Sequence, residues 1–276
     1  MPRDVTIVDR DRVVSALDEV WDALVALAGD LETVDWDRPT PCPGWSVKDI
    51  YAHVLGMEAM LLGRAIPLVS LPAQLPHVRN DIGRVNEMWV ARYRSQPVTE
   101  LLADLGEVLI ARRAALVPMD QDVFNREAQT PAGPDTYGRL MRIRVMDQYF
   151  HEQDVRAAIG QPGHLTGLAP QLALDEVTEA LGYAVGKNAG VTAGKSVRFV
   201  LTGPIARRID IAVDRRAEVV DELDHEPTVT IEIPGDRFLR VAGGRLAAGQ
   251  ATAAPTDVQG DRTVGEQVLN GLAYMI

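Results

Sequence analysis

A single cysteine, Cys42, is all the sequence holds, so no intrachain disulfide is available and the fold must rest on its core. That fits a reducing compartment and predicts a cytoplasmic protein. Long apolar runs are missing as well, the longest being far short of the about 18 residues that span a bilayer. The opening Met1-Pro2-Arg3-Asp4-Val5 carries charge early and lacks a signal-peptide apolar run, so no export and no membrane association are expected. Positive charge is scarce: Lys and Arg total 28 against 39 Asp and Glu, a net charge of −11. Nucleic acid and anionic membrane surfaces would repel such a chain, although one local basic pocket can still hold an anion. A Gly-x-Gly-x-x-Gly fingerprint, a phosphate loop, a serine elbow and a Cys-x-x-Cys pair are all absent, which leaves nucleotide binding without support.

What is present is enough apolar sequence for sizeable cores, 46% of 276 residues, and a length that suggests two domains. From Arg12 to Leu31, Val13, Leu17, Val20, Trp21, Leu24 and Leu27 recur at helical spacing. The prolines of Pro39-Thr40-Pro41-Cys42-Pro43-Gly44 break the pattern, and Ser46-Val47-Lys48-Asp49 has the form of a capping box. A second helix therefore starts near Ser46 and runs to about Ala65. A third passes through Trp89 and Tyr93, and a fourth covers Val98 to Val117. The loop Thr130-Pro131-Ala132-Gly133-Pro134 leads into a fifth, from Tyr137 to Ile159, closed by Gly160. Short connections between such helices predict an antiparallel bundle. After Gln161-Pro162-Gly163 the periodicity changes. One helix, Leu168 to Val185, precedes β-like runs at 196–202, 205–213, 217–220 and 228–233, with helices near 236–241 and 263–272 and a strand near 257–259. The expected fold is α+β: a helical bundle over 1–162, then a small α+β domain over 163–276 with helices on one sheet face.

Chemistry concentrates on two helices. His53 points with the apolar stripe of Ile50 and Met57, and taken alone it reads as a hydrogen-bonded core histidine. The fifth helix carries a stripe of Leu140, Ile143, Asp147, Phe150, His151, Asp154 and Ala158. Asp147 and His151, four apart, share a face. A buried carboxylate beside a buried imidazole needs a partner, and a divalent metal supplies one. An internal Asp–His–Asp hydrogen-bond network without metal serves the pattern equally well. Arg142 and Arg144 flank this stripe and read either as site residues or as surface charges. Cys42 between two prolines reads as a packing residue ahead of a reactive thiol, and His77, His164 and His225 as solvated turn residues.

The segment Thr40-Pro41-Cys42-Pro43-Gly44-Trp45-Ser46 through His53 resembles the opening motif of the mycothiol-dependent maleylpyruvate isomerase family, part of a wider DinB-like group of metal-binding four-helix bundles. Asp147-x-x-x-His151-x-x-Asp154-x-x-x-Ala158-x-Gly160 is similar to its second motif, and the C-terminal half, with Gly244-Arg245 and Val258 to Arg262, resembles a sterol-carrier-protein-like domain. The resemblance implies a divalent metal, usually zinc, on His53, Asp147 and His151. Asp147 stands where the family's pattern has glutamate, so Asp154 is the rival carboxylate. It also implies an arginine from the C-terminal domain near the metal: Arg245, with Arg240 and Arg262 as rivals.

Three N/O ligands leave a tetrahedral metal one open position, the mark of a catalytic site. The expected function is a zinc-dependent enzyme that uses a small thiol, mycothiol, in isomerisation or S-transfer on an electrophilic small molecule. A lipid or acyl carrier with a structural metal, and a regulatory protein that has lost the chemistry, are the competing readings.

Overall fold

The computed structural model describes residues 5–246 and 248–274, so residues 1–4 of the opening segment read above lie outside it. The chain divides into two compact units, Met1–Gly163 and His164–Ile276. The first contains α1 (Arg10–Asp30), α2 (Val47–Leu61), α3 (Asp81–Arg94), α4 (Val98–Leu116), the short α5 (Gln121–Phe124), a hairpin of β1 (Glu127–Thr130) and β2 (Gly133–Thr136), and α6 (Tyr137–Ile159). Side-chain caps set the starts. Asp9 accepts from the Arg12 amide, Asn80 from Gly83, and Thr136 from Arg139. Ser46 and Asp49 form a full capping box on α2. Each such cap contributes about 1 kcal/mol. Gly63, at φ +76°, ends α2 four residues earlier than the apolar pattern suggests, and Gly160, at φ +70°, closes α6.

Helix α2 is the hub of this unit, packing on α3, α4 and α6, while α1 packs on α6. The core is built from Leu17, Trp21 and Leu24 of α1, Ile50 and Leu55 of α2, Leu101 and Leu105 of α4, and Met141 and Tyr149 of α6. Gly56 is required where α2 meets α3, because a Cβ there would overlap the Trp89 ring. Two expectations need correction. The loop around Pro131 is a hairpin whose turn is Pro131-Ala132, with Thr130 and Gly133 paired. Pro134 fits in it because an edge position does not need its amide. Helix α6 also has no single apolar stripe. It is buried on nearly all sides from Gly138 to Val155, since its charged residues pair inside the bundle.

The second unit contains α7 (Leu168–Tyr183), β3 (Lys195–Thr202), β4 (Arg207–Val213), β5 (Ala217–Val220), β6 (Val229–Pro234), α8 (Gly235–Ala242), α9 (Ala248–Ala251), β7 (Asp257–Gly260) and α10 (Arg262–Gly271). Its sheet runs β5-β4-β3-β6-β7, with β3 and β6 parallel and the other pairs antiparallel. Val197, Phe199 and Leu201 alternate inward, in register with Val229, Ile231 and Ile233. That period of two makes one face a core, against which α7, α8 and α10 pack. The architecture is α+β, a helical unit followed by a sheet-containing one.

Candidate metal centre between two bundle helices

Helix α6 presents Asp147 and His151 one turn apart, and α2 brings His53 against them. His53 Nε2 lies 3.2 Å from Asp147 Oδ2, and His151 Nε2 lies 3.6 Å from Asp147 Oδ1. One ligand atom from each of the three lies within 4.8 Å of the others. Both imidazoles are almost fully buried, whereas the Asp147 side chain is 24% exposed, so solvent reaches the cluster over the carboxylate. Asp154 lies on the opposite edge of His151, with Oδ2 3.2 Å from Nδ1. The rival carboxylate therefore belongs to the ring nitrogen that faces away from His53. A carboxylate there fixes ring orientation and tautomer.

Charge from deeper in the bundle holds Asp147. Buried Arg144 donates from Nη1 to Asp147 Oδ2 at 2.6 Å and from Nε to Glu58 Oε1 at 3.1 Å. Glu58 is fully buried and also accepts from Arg112 Nε at 2.7 Å and Gln148 Nε2 at 2.5 Å. Arg142 is buried as well, so neither arginine is a surface charge. A lone acid in the apolar run Val54 to Leu62 was the sequence signal for Glu58.

Trp45 supplies one wall. Its ring lies 5.0 Å from that of His53 and 5.8 Å from that of His151, and the two histidine rings meet edge-on at 4.6 Å. Buried Glu87 of α3 accepts from Trp45 Nε1 at 2.7 Å, sits 2.6 Å from His77 Nε2, and meets Arg94. His77 is thus not a solvated turn residue. It packs beside Gly44, where a Cβ would come within 2.7 Å of its ring and where φ is +81°. His225 is exposed, and His164 adopts φ +54° at the start of the second unit.

The two histidines are driven in opposite directions. Burial pushes His53 down to about 4, against the attraction of Asp147, so it is neutral at physiological pH. Burial also works against charge on His151, but Asp147 and the bonds to Asp147 and Asp154 outweigh it and raise this imidazole well above its usual range. Burial would raise Asp147, yet Arg144 first, then the two histidines, hold it well below the usual carboxylate range. His53 Nδ1 is buried with no hydrogen-bond partner, so that ring's tautomer is set through Nε2, where Asp147 accepts. Two imidazoles and an ionised carboxylate form the N/O donor set of catalytic zinc sites, and the residues fit a divalent cation.

Cys42 lies on the Asp154 side, with Sγ 3.3 Å from Asp154 Oδ2 and 3.9 Å from His151 Nδ1. It is therefore more than a packing residue of its loop. Arg245 lies in the second unit, after α8, donating from Nη1 to the Gly243 carbonyl at 2.6 Å. Arg240 and Arg262 are exposed residues of the same unit. The cluster described above is built wholly from the first unit. Sequence reasoning missed Glu58, Glu87 and Arg112 and left Trp45 without a role.

A family model described as the mycothiol maleylpyruvate isomerase N-terminal domain matches residues 17–156, just over half of the chain. Among solved structures, a mycothiol-dependent maleylpyruvate isomerase is similar at TM-score 0.56 and 13% identity, over 87% of this chain and 90% of that one. A histidine-to-alanine mutant of that isomerase matches with the same values. The UbiJ-SCP2 ubiquinone synthesis protein aligns with 37% of this chain and 92% of its own at 16% identity, with a TM-score of 0.29, too low to carry weight. No curated protein matches. No described helix is long and apolar enough to cross a membrane.

Proposed function

The chain belongs to the mycothiol maleylpyruvate isomerase N-terminal domain family, and from that premise we propose that it is a metal-dependent enzyme. It uses a low-molecular-weight thiol, mycothiol, on an electrophilic small molecule by isomerisation or S-transfer. The observation that carries the reading is the convergence of His53, Asp147 and His151 around a neutral, buried His53. These three would hold the cation, and their donor set favours zinc. When bound, such a cation favours the thiolate form of a thiol at neutral pH.

The protein's own groups have separable tasks. Arg144 aims the Asp147 carboxylate and keeps it ionised. Asp154 anchors the far nitrogen of His151 and so points Nε2 toward Asp147. Trp45 covers the two imidazoles with an apolar face and excludes water from that side. A thiolate adds to an activated cis double bond, the single bond so created rotates, and elimination returns the thiolate with the trans alkene. Addition followed by protonation of the resulting carbanion from solvent, with no elimination, is S-transfer. The family resemblance implies an arginine of the second unit for an anionic substrate, with Arg245 the candidate and Arg240 and Arg262 its rivals, since a cation stabilises developing negative charge.

Purified protein should carry near-stoichiometric zinc, largely lost in His151→Ala. Cobalt-substituted Cys42→Ser protein should gain a near-ultraviolet thiolate band when mycothiol or a truncated analogue is added, and Arg245→Ala should keep that band while losing turnover. Protein that stays empty in excess zinc would falsify the reading and pass it to a carrier or regulatory role.

A further inference from the structure

The far edge of His151 is a second constellation of ligand atoms. Cys42 Sγ, His151 Nδ1 and Asp154 Oδ2 make a closed triangle with edges of 3.3, 3.2 and 3.9 Å. Zinc–sulfur, zinc–nitrogen and zinc–oxygen bonds at tetrahedral angles place such atoms about 3.3–3.6 Å apart. All three edges fall close to that range before any cation is present.

The thiol is held there by its own loop. Pro41 and Pro43 fix φ on either side of Cys42. The Cys42 amide donates to Thr40 Oγ1 at 3.2 Å, and its carbonyl accepts from the Trp45 amide at 3.1 Å. Thr40 closes the loop by donating from both its amide and its hydroxyl to the Trp45 carbonyl. The ordering cost that weakens most surface metal sites is thus already met by the fold. Asp154 and His151 are buried, while Cys42 is half-buried, which leaves an approach on the sulfur side.

Sγ–H and Nδ1–H both converge on the single oxygen Oδ2 of Asp154. One cation replaces both protons, releases them to solvent, and takes the oxygen, the nitrogen and the sulfur together. We propose that Cys42, His151 and Asp154 form a second cation site, selective for thiophilic divalent ions of the zinc and cadmium class. Its thiolate separates it from the N/O set on the other edge of the ring. It does not depend on the proposed enzymatic function. Where that function holds, the two sites share His151 and oppose each other, because a cation on Nδ1 withdraws the Asp154 bond that orients Nε2.

Cadmium titration of the full-length, metal-free protein tests this directly. Wild type should develop a sulfur-to-cadmium charge-transfer band in the ultraviolet, saturating at one per chain. Cys42→Ser should lose the band while keeping its circular dichroism and its zinc on the other edge of His151. His53→Ala and, as a second variant, Asp147→Asn should keep the band. Asp154→Asn should weaken it by roughly tenfold or more. No band in wild type at millimolar cadmium overturns the proposal. So does a band that disappears in both His53→Ala and Asp147→Asn, which would make Cys42 a fourth ligand of the N/O set. Failure of the enzymatic reading shows separately, as zinc absent from Cys42→Ser.

Discussion

In the first unit charge runs through the core, whereas in the second almost none of it does. Among the described residues, every buried polar or charged side chain except Glu176 and Asp210 belongs to the first unit. Asp210 lies opposite Arg198 on the sheet face away from the core, and its two arginine partners, Arg198 and Arg208, are 22% and 51% exposed. Glu58 and its partners Arg112 and Arg144 are all within the bundle. The sheet unit uses alternation to separate polar from apolar side chains. The bundle instead pairs buried ions with one another between its helices. Buried ion pairs give no general gain in stability, so their concentration around Asp147 supports the proposed site there.

The largest break in the comparison should come from Glu58→Ala. It takes the carboxylate partner from buried Arg112 and leaves buried Arg144 with Asp147 alone, and the expected loss is about 3–5 kcal/mol of stability. Asp210→Ala should cost only about 1 kcal/mol, because its arginines can turn to water. Denaturant midpoints of the two variants measure the difference. Equal losses would mean that the bundle rearranges around its missing acid. Arg144→Gln should fall between them and should lower zinc affinity by roughly tenfold or more through Asp147, measured by chelator competition.

A second break comes from pH. His53 is held at about 4 in the folded protein and at 6.5 when unfolded, so the unfolded chain binds the extra proton between those values. Stability of the metal-free protein must therefore fall as pH drops from 6.5 toward about 4. His151 is raised in the folded state, so the stability it contributes is complete below its ordinary 6.5 and is lost as pH climbs through the raised value. Asp147, held low, adds stability that disappears only in stronger acid, below 3.8. The metal-free protein should thus be most stable near pH 6.5. His53→Gln should flatten the acid limb and His151→Gln the alkaline one, in urea titrations across that range. Zinc competes with the His151 proton, so its affinity should rise with pH.

Local sequence made some of this legible and left the rest out of reach for a physical reason. The capping box at Ser46, the period-two strands and the i, i+4 pair Asp147 and His151 are written within a few residues. His53 joins that pair across 94 positions, and the family resemblance, not periodicity, linked them. Arg144 and Glu58 meet across 86 positions, Trp45 and Glu87 across 42. No helical or strand period encodes such partners. The stripe expected on α6 failed for the same reason, since pairing partners on other elements make its polar side buriable. His77 read as a solvated loop residue because nothing near it in sequence announces Glu87.

The smallest effect should come from the wall of the site. Trp45→Phe keeps an aromatic face over His53 and His151 but removes the Nε1–H that Glu87 accepts. Glu87 retains His77 and Arg94, so its charge is not stranded, and the expected cost is about 1–2 kcal/mol. Zinc affinity should change by less than about threefold, because Asp154 still holds His151 and Arg144 still holds Asp147. Trp45→Ala removes the ring itself and admits water to both imidazoles. Burial is what pushes His53 down, so opening that wall should move it back toward its ordinary value, visible as a flattening of the acid limb. If Trp45→Phe flattens that limb as much as Trp45→Ala does, the hydrogen bond to Glu87, and not the apolar ring, controls His53. The α3 helix would then count as part of the site, and the contrast between a charged bundle core and an apolar sheet core would extend to a third helix.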